Sequence, residues 1–154
     1  IRYMMEERNL LIGEATAENI KMTLGSAYPS DEEGDGPVRG RDLVSGLPKE
    51  ITITSEEIRE AMARSVKSIV MAVKNTIEET PPELTADLIN RHIFIAGGGA
   101  LLKGLDKLIA HETKLFVKIV DDPLTAVARG CGFVLESVEQ LKSVLVPTQK
   151  EDYR

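Results

Sequence analysis

Residues 93–101 read Ile-Phe-Ile-Ala-Gly-Gly-Gly-Ala-Leu, and this string limits the fold more than any other. Branched and aromatic residues favour an extended strand, three glycines in a row make a turn, and the leucines beyond recur at helical spacing. Bare main chain at Gly97, Gly98 and Gly99 lets the backbone take φ > 0 and lie against a group that a side chain would exclude. The first amides of the helix predicted after the turn lack partners and point out of it, which suits oxygen-rich ligands. A tight strand-to-helix connection with nothing bound would read the same way, so the rest of the chain must decide.

The surroundings specify an α/β layer. A short helix over 83–90 leads into a strand over 92–96; Leu101, Leu102, Leu105, Leu108 and Ile109 predict the buried face of the next helix, and 115–120 a second strand. Strands joined through a helix of that length pair in parallel. Upstream, Thr54-Ser-Glu-Glu57 is a capping box, in which hydroxyl and carboxylate satisfy each other's orphan amides. It opens a long helix with Ile58, Met62, Val66, Ile69, Val73 and Ile77 in one stripe, stopped by Pro81 and Pro82. Downstream, Asp121-Asp122-Pro123 reads as an N-cap followed by proline at the first helical position. The helix it predicts carries Leu124, Val127, Cys131, Val134, Leu135, Val138 and Leu141 on one face, with a flat notch at Ala126 and Gly130. A polar tail fills 147–154.

Before the long helix, residues 1–10 predict a short helix and a second begins near Thr16, with Ala17, Ile20 and Leu24 at helical spacing. The stretch 28–37 holds two prolines, two glycines and an acidic run, the composition of an exposed loop with a mobile tip. Strands over 38–44 and 50–54 form a hairpin, with Ile51 and Ile53 on one face.

Composition narrows the function classes. Of 154 residues, 42% are hydrophobic and 29% charged, enough for a packed core. The net charge of −6, with 19 basic residues dispersed among 25 acidic ones, argues against nucleic acid as a partner. No apolar run reaches the roughly 20 residues that span a bilayer. The single cysteine, Cys131, fits a reducing cytoplasm and, between Gly130 and Gly132, reads as a small buried hydrophobe rather than a nucleophile. His92 and His111 lack neighbours at metal-ligand spacing, so no metal-ligating or catalytic set is assigned. The first residue is Ile and no targeting sequence precedes the first helix, so the reading is of an internal or C-terminal piece of a longer protein.

Glu18 and Lys21, three apart on a predicted helix, leave the same face. A carboxylate accepts two hydroxyl hydrogen bonds, which suits the vicinal diol of a ribose, and a lysine stem can lie along a purine. A plain surface ion pair has the same spacing.

Three pieces in order are more specific: Gly13-Glu-Ala-Thr-Ala-Glu-Asn-Ile-Lys21, the turn Ala96-Gly-Gly-Gly-Ala-Leu101, and Asp122-Pro-Leu-Thr-Ala-Val-Ala-Arg-Gly130. With Gly25-Ser-Ala-Tyr28, Gly40-Arg-Asp-Leu43 and Pro81-Pro-Glu-Leu84, the chain up to about Leu135 resembles the C-terminal part of the MreB family of bacterial actin-like, rod-shape-determining proteins. The resemblance implies a partial actin-like ATPase fold (ribonuclease H-like), the second domain plus a C-terminal segment of the first. In that mapping residues 1–53 look like the small outer subdomain, 54–121 the inner one, and 122–154 a hinge helix and segment that crosses to the first domain.

The resemblance further implies that Glu18, Asn19, Ile20 and Lys21 line the adenosine side of an ATP (ADP) site, and that Gly97, Gly98, Gly99 and Ala100 form the turn beneath adenine and ribose. Mg2+ would be held mainly by an N-terminal half. The two phosphate loops, the acid that orients the attacking water and the membrane-touching element of the family are not found in this sequence, so little hydrolysis is expected of it alone. Implied partners are further copies in a filament and the cell-shape and wall-synthesis machinery, at the cytoplasmic face of the inner membrane. Other superfamily members (a division-type actin homologue or a small-molecule kinase) and a structural assembly module with an empty glycine turn are the alternatives. In a filament the outer loops, 28–48, would meet a neighbour.

Overall fold

A computed structural model describes residues 1–30 and 33–142. Helix α1 (Arg2–Arg8) ends at Asn9, which turns left-handed at φ 49°, and a two-residue strand β1 (Leu10–Leu11) follows. Helix α2 (Glu14–Leu24) starts behind Gly13, whose extended backbone breaks the chain direction. Strands β2 (Asp35–Asp42) and β3 (Pro48–Thr54) pair antiparallel with Val38 opposite Ile51, and β1 adds to the free edge of β2 with Leu10 opposite Asp42.

The long helix α3 (Ser55–Glu78) begins at the predicted capping box: the Glu57 amide donates to Thr54 Oγ1 at 3.3 Å and the Thr54 amide to Glu57 Oε2 at 2.9 Å. Helix α4 (Pro82–Leu88) starts behind Pro81 and leads to β4 (His92–Ile95). A 3₁₀ turn (Gly98–Leu101), helix α5 (Leu105–Thr113) and strand β5 (Phe116–Ile119) complete the crossover, and β4 and β5 pair in parallel with Ile93 opposite Val117. Helices α6 (Ala126–Glu136) and α7 (Val138–Leu141) end the described chain.

Two apolar clusters hold these elements. Met4, Leu10, Ile12, Ile20, Val38, Ile53 and Ile58 bury the inner face of the three-stranded sheet under α1, α2 and the start of α3. Ala27, Val66, Val70, Leu105 and Ile109 form the second, where α3 packs on α5 and the buried side of the parallel pair. Met62 packs against both. No described residue covers the outer face of β4 and β5, where Phe94 and Phe116 are exposed on either side of the His92 ring.

Several expectations need correction. The loop read over 28–37 is shorter, because Asp35, Gly36 and Pro37 already pair with Thr54, Ile53 and Thr52; the hairpin read over 38–54 therefore spans 35–54. The expected mobile tip falls at 31 and 32, outside the described residues, as does the polar tail over 147–154. In α3 the stripe continues from Val66 to Val70 rather than Ile69, which is 44% exposed, because a step of four keeps the side chain over α5 and a step of three carries it past that contact.

The helix expected straight after the glycines is split. Gly104, at φ 73°, separates the 3₁₀ turn from α5, so Leu101 faces outward while Leu105 and Ile109 are buried. The helix expected to start at Asp122-Pro123 starts at Ala126, because Asp122 takes φ 45° and its carboxylate accepts from the Thr125 hydroxyl in a separate turn. This helix pauses at Ser137 and buries nothing: Leu124, Val127 and Leu135 are exposed, and so is Cys131, read as a buried hydrophobe. Its apolar face is real, but the described part of the chain supplies no surface against it.

Candidate functional site

The residues singled out in sequence come from α2 and from the turn after β4. In α2, Ala17, Ile20 and Leu24 pack on the first cluster, which directs the intervening polar residues away from it. Glu18 and Lys21 are exposed and line a cavity of about 400 Å³ with α1 and with Ile58, Ala61 and Met62 of α3. Neither takes part in an ion pair among the described residues. Asn19 lies on the opposite flank of α2, in a concavity against residues 35–39 of β2. The Ile20 side chain is buried, so only its main chain is available to anything outside.

Only the first of the three glycines is demanded by backbone conformation. Gly97 sits at φ 85°, where a side chain is strained; Gly98 and Gly99 begin the 3₁₀ turn with no positive φ. A Cβ at Gly98 would touch Leu124 Cδ2 at 3.4 Å, and one at Gly99 would meet nothing within 4 Å. Ala100 is buried and anchors the turn from within. The turn is held at both ends, since the Gly97 amide donates to Pro123 O at 2.8 Å and the Leu102 amide to Gly99 O at 3.1 Å.

α2 and the glycine turn are joined by a strap that the sequence reading missed. Ser26 forms a single parallel bridge with Lys103, and the Ala27 amide donates to Lys103 O at 2.7 Å. Lys103 Nζ donates to Thr23 O at 3.3 Å, in the last turn of α2. Tyr28 lies against Gly104, where an added Cβ would come within 3.0 Å of Tyr28 Cβ. Arg59 of α3 fastens the outer side of the strap, donating to Ser26 Oγ at 2.9 Å and pairing with Glu33 at 2.7 Å. That guanidinium holds the Glu33 carboxyl below the usual carboxylate range. The glycine at 104 was the available signal, because a lone glycine inside an apolar helical pattern marks a break.

Among the described residues no cluster of three or more His, Cys, Asp or Glu is placed to hold a metal ion, and no helix is long and apolar enough to cross a membrane. The MreB/Mbl protein family model matches residues 1–143. The cell shape-determining protein Mbl of Bacillus subtilis is 47% identical over 141 residues, which cover 92% of this chain and 42% of that protein. MreB of Escherichia coli K12 is 48% identical over 139 residues, covering 90% of this chain and 40% of that one. The chain thus spans about two fifths of the length of these curated relatives.

Among solved structures, MreB5 of Spiroplasma citri bound to ADP superposes with a TM-score of 0.86 at 37% identity, covering 92% of this chain and 43% of that one. A MamK double helical filament superposes with a TM-score of 0.67 at 20% identity, a likeness of fold alone. The α/β arrangement is therefore part of an actin-like fold. By the reach of the family model and by agreement in both sequence and fold, this chain belongs to the MreB/Mbl family.

Proposed function

We propose that this chain is the nucleotide-clasping, C-terminal portion of an actin-like ATPase whose filaments lie under the bacterial inner membrane and direct cell shape and wall synthesis. Residues 1–53 act as the small outer subdomain, 54–121 as the inner one and 122–154 as the hinge and crossing segment. Glu18 and Lys21 face the ribose and purine of ATP or ADP, Asn19 and the Ile20 main chain complete that segment, and Gly97, Gly98, Gly99 and Ala100 underlie the base. The nucleotide supplies the phosphoanhydride whose hydrolysis would time assembly. These residues bind and orient it, while Mg2+ and the attacking water fall to an N-terminal half.

The observation that carries this reading is the open main chain at Gly99. Its φ is not left-handed and a Cβ there would meet nothing within 4 Å, so the bare backbone is open to a flat group such as a bound base. Among the described residues neither Glu18 nor Lys21 takes part in an ion pair, which points the same way, because each then offers its hydrogen-bonding groups to a ligand. MreB5 of Spiroplasma citri, crystallised with ADP and with AMPPNP, sets the precedent for a nucleotide in this fold.

Nucleotide-dependent thermal stabilisation of the complete gene product tests the proposal. ADP should raise the melting temperature of the parent, and the shift should vanish in Glu18→Ala and in Gly99→Leu. Gly99 is exposed and an added Cβ meets nothing within 4 Å, so the unliganded variant should fold, and its melting temperature without nucleotide checks that the effect reads out binding. Equal shifts in parent and both variants would remove these residues from the site.

A further inference from the structure

The two halves of the proposed cleft come from different parts of the fold, α2 beside the first apolar cluster and the glycine turn beside the second. Lys103 bonds with both its main chain and its side chain to the run that ends α2. Its carbonyl accepts from the Ala27 amide at 2.7 Å, and its ammonium donates to the Thr23 carbonyl at 3.3 Å. Along α2, Thr23 lies about 7.5 Å beyond Glu18, at roughly 1.5 Å per residue. In the other direction, Lys103 directly follows Leu102, whose amide closes the 3₁₀ turn on Gly99. Lys103 thus joins α2 to the glycine turn by two hydrogen bonds on one side and the adjoining main chain on the other.

We propose that Lys103 is a positioning residue of the nucleotide cleft, holding the Glu18–Lys21 face of α2 at a fixed separation from the glycine turn. The inference rests on the cleft reading given above. A cation suits this position for a second reason: the last carbonyls of α2 carry the negative end of the helix dipole, and an ammonium there is favoured. The main-chain bond to Ala27 does not depend on the side chain. Removing the ammonium therefore loosens the angle of α2 and leaves the strap in place. Arginine keeps both charge and donors, and methionine keeps only the stem.

The test is ribose selectivity, the ratio of dissociation constants for 2′-deoxy-ADP and ADP, measured on the complete gene product with the melting temperature recorded beside it. In the parent Glu18 should prefer the intact diol, and Glu18→Ala should bring the ratio to one. Lys103→Met should lower the ratio about two- to five-fold, the range expected of one cation at a helix C-terminus, and Lys103→Arg should restore it. A purely structural lysine would weaken both nucleotides equally; an unchanged ratio in Lys103→Met, with Glu18→Ala still collapsing it, overturns the positioning role and leaves the cleft standing. A ratio that Glu18→Ala does not move overturns the cleft reading, and the role of Lys103 falls with it.

Discussion

Single side chains set the shape of the outer hairpin through one carboxylate. Asp42 accepts from the Val44 amide at 2.7 Å and the Ser45 amide at 3.2 Å, and pairs with Lys49 at 2.9 Å, so it spans the turn that joins β2 to β3. The hydrogen bond from Lys49, then those from the two amides, hold its pKa down to about 2 from an ordinary 3.8. Because the folded value lies below the unfolded one, the contribution to stability is present above about pH 3.8 and is lost as the pH falls through 2. Carboxyl chemical shifts followed by NMR should place the Asp42 midpoint near 2. In Asp42→Asn the acid dependence of the Val44 and Ser45 amides should disappear. A midpoint at the ordinary value would mean that the cage around Asp42 does not persist in solution. The tip so held presents Val44 and Leu47, 84% and 65% exposed, as two apolar side chains on a fixed frame.

At the scale of elements, local chemistry was legible wherever the signal and its satisfaction lie within a few residues. The box at Thr54 and Glu57 names both partners in four positions and forms as read. Replacing Thr54 by alanine should cost about 1 kcal/mol in urea unfolding with an unchanged m-value; a loss near zero would show that α3 is held by packing alone. The parallel pairing of β4 and β5 was likewise legible, since a strand, helix and strand of those lengths admit little else. Left-handed residues were not. Asp122 at φ 45° resembles an N-cap in sequence and instead makes a turn of its own, displacing the start of α6 to Ala126. Burial was legible only where the chain brings its own partner surface. Ile109 and Cys131 both sit on apolar helical faces; α3 covers the first, whereas nothing described covers the second. Of the candidate site, Glu18 and Lys21 emerge on one side of α2, as their spacing predicts, whereas Asn19, one residue from Glu18, projects about 100° away into a separate concavity.

For the molecule as a whole, stability is graded from the two clusters outward. Val66, Val70, Leu105 and Ile109 tie α3 to α5, while α6 has no buried residue and is attached through the 121–125 turn. Native-state hydrogen exchange on this chain should find the α6 amides exchanging by local opening, and those of α3 between Ile58 and Val70 only near the global unfolding free energy. Protection of α6 equal to that of α3 would contradict this gradient. Helix α3 runs unbroken for 24 residues, about 36 Å, and rests on the first cluster at Ile58 and on the second at Val66 and Val70. Met62 stands between them and contacts each. A load applied at the hairpin therefore reaches α5 as the displacement of one stiff rod, with no joint along α3 to absorb it.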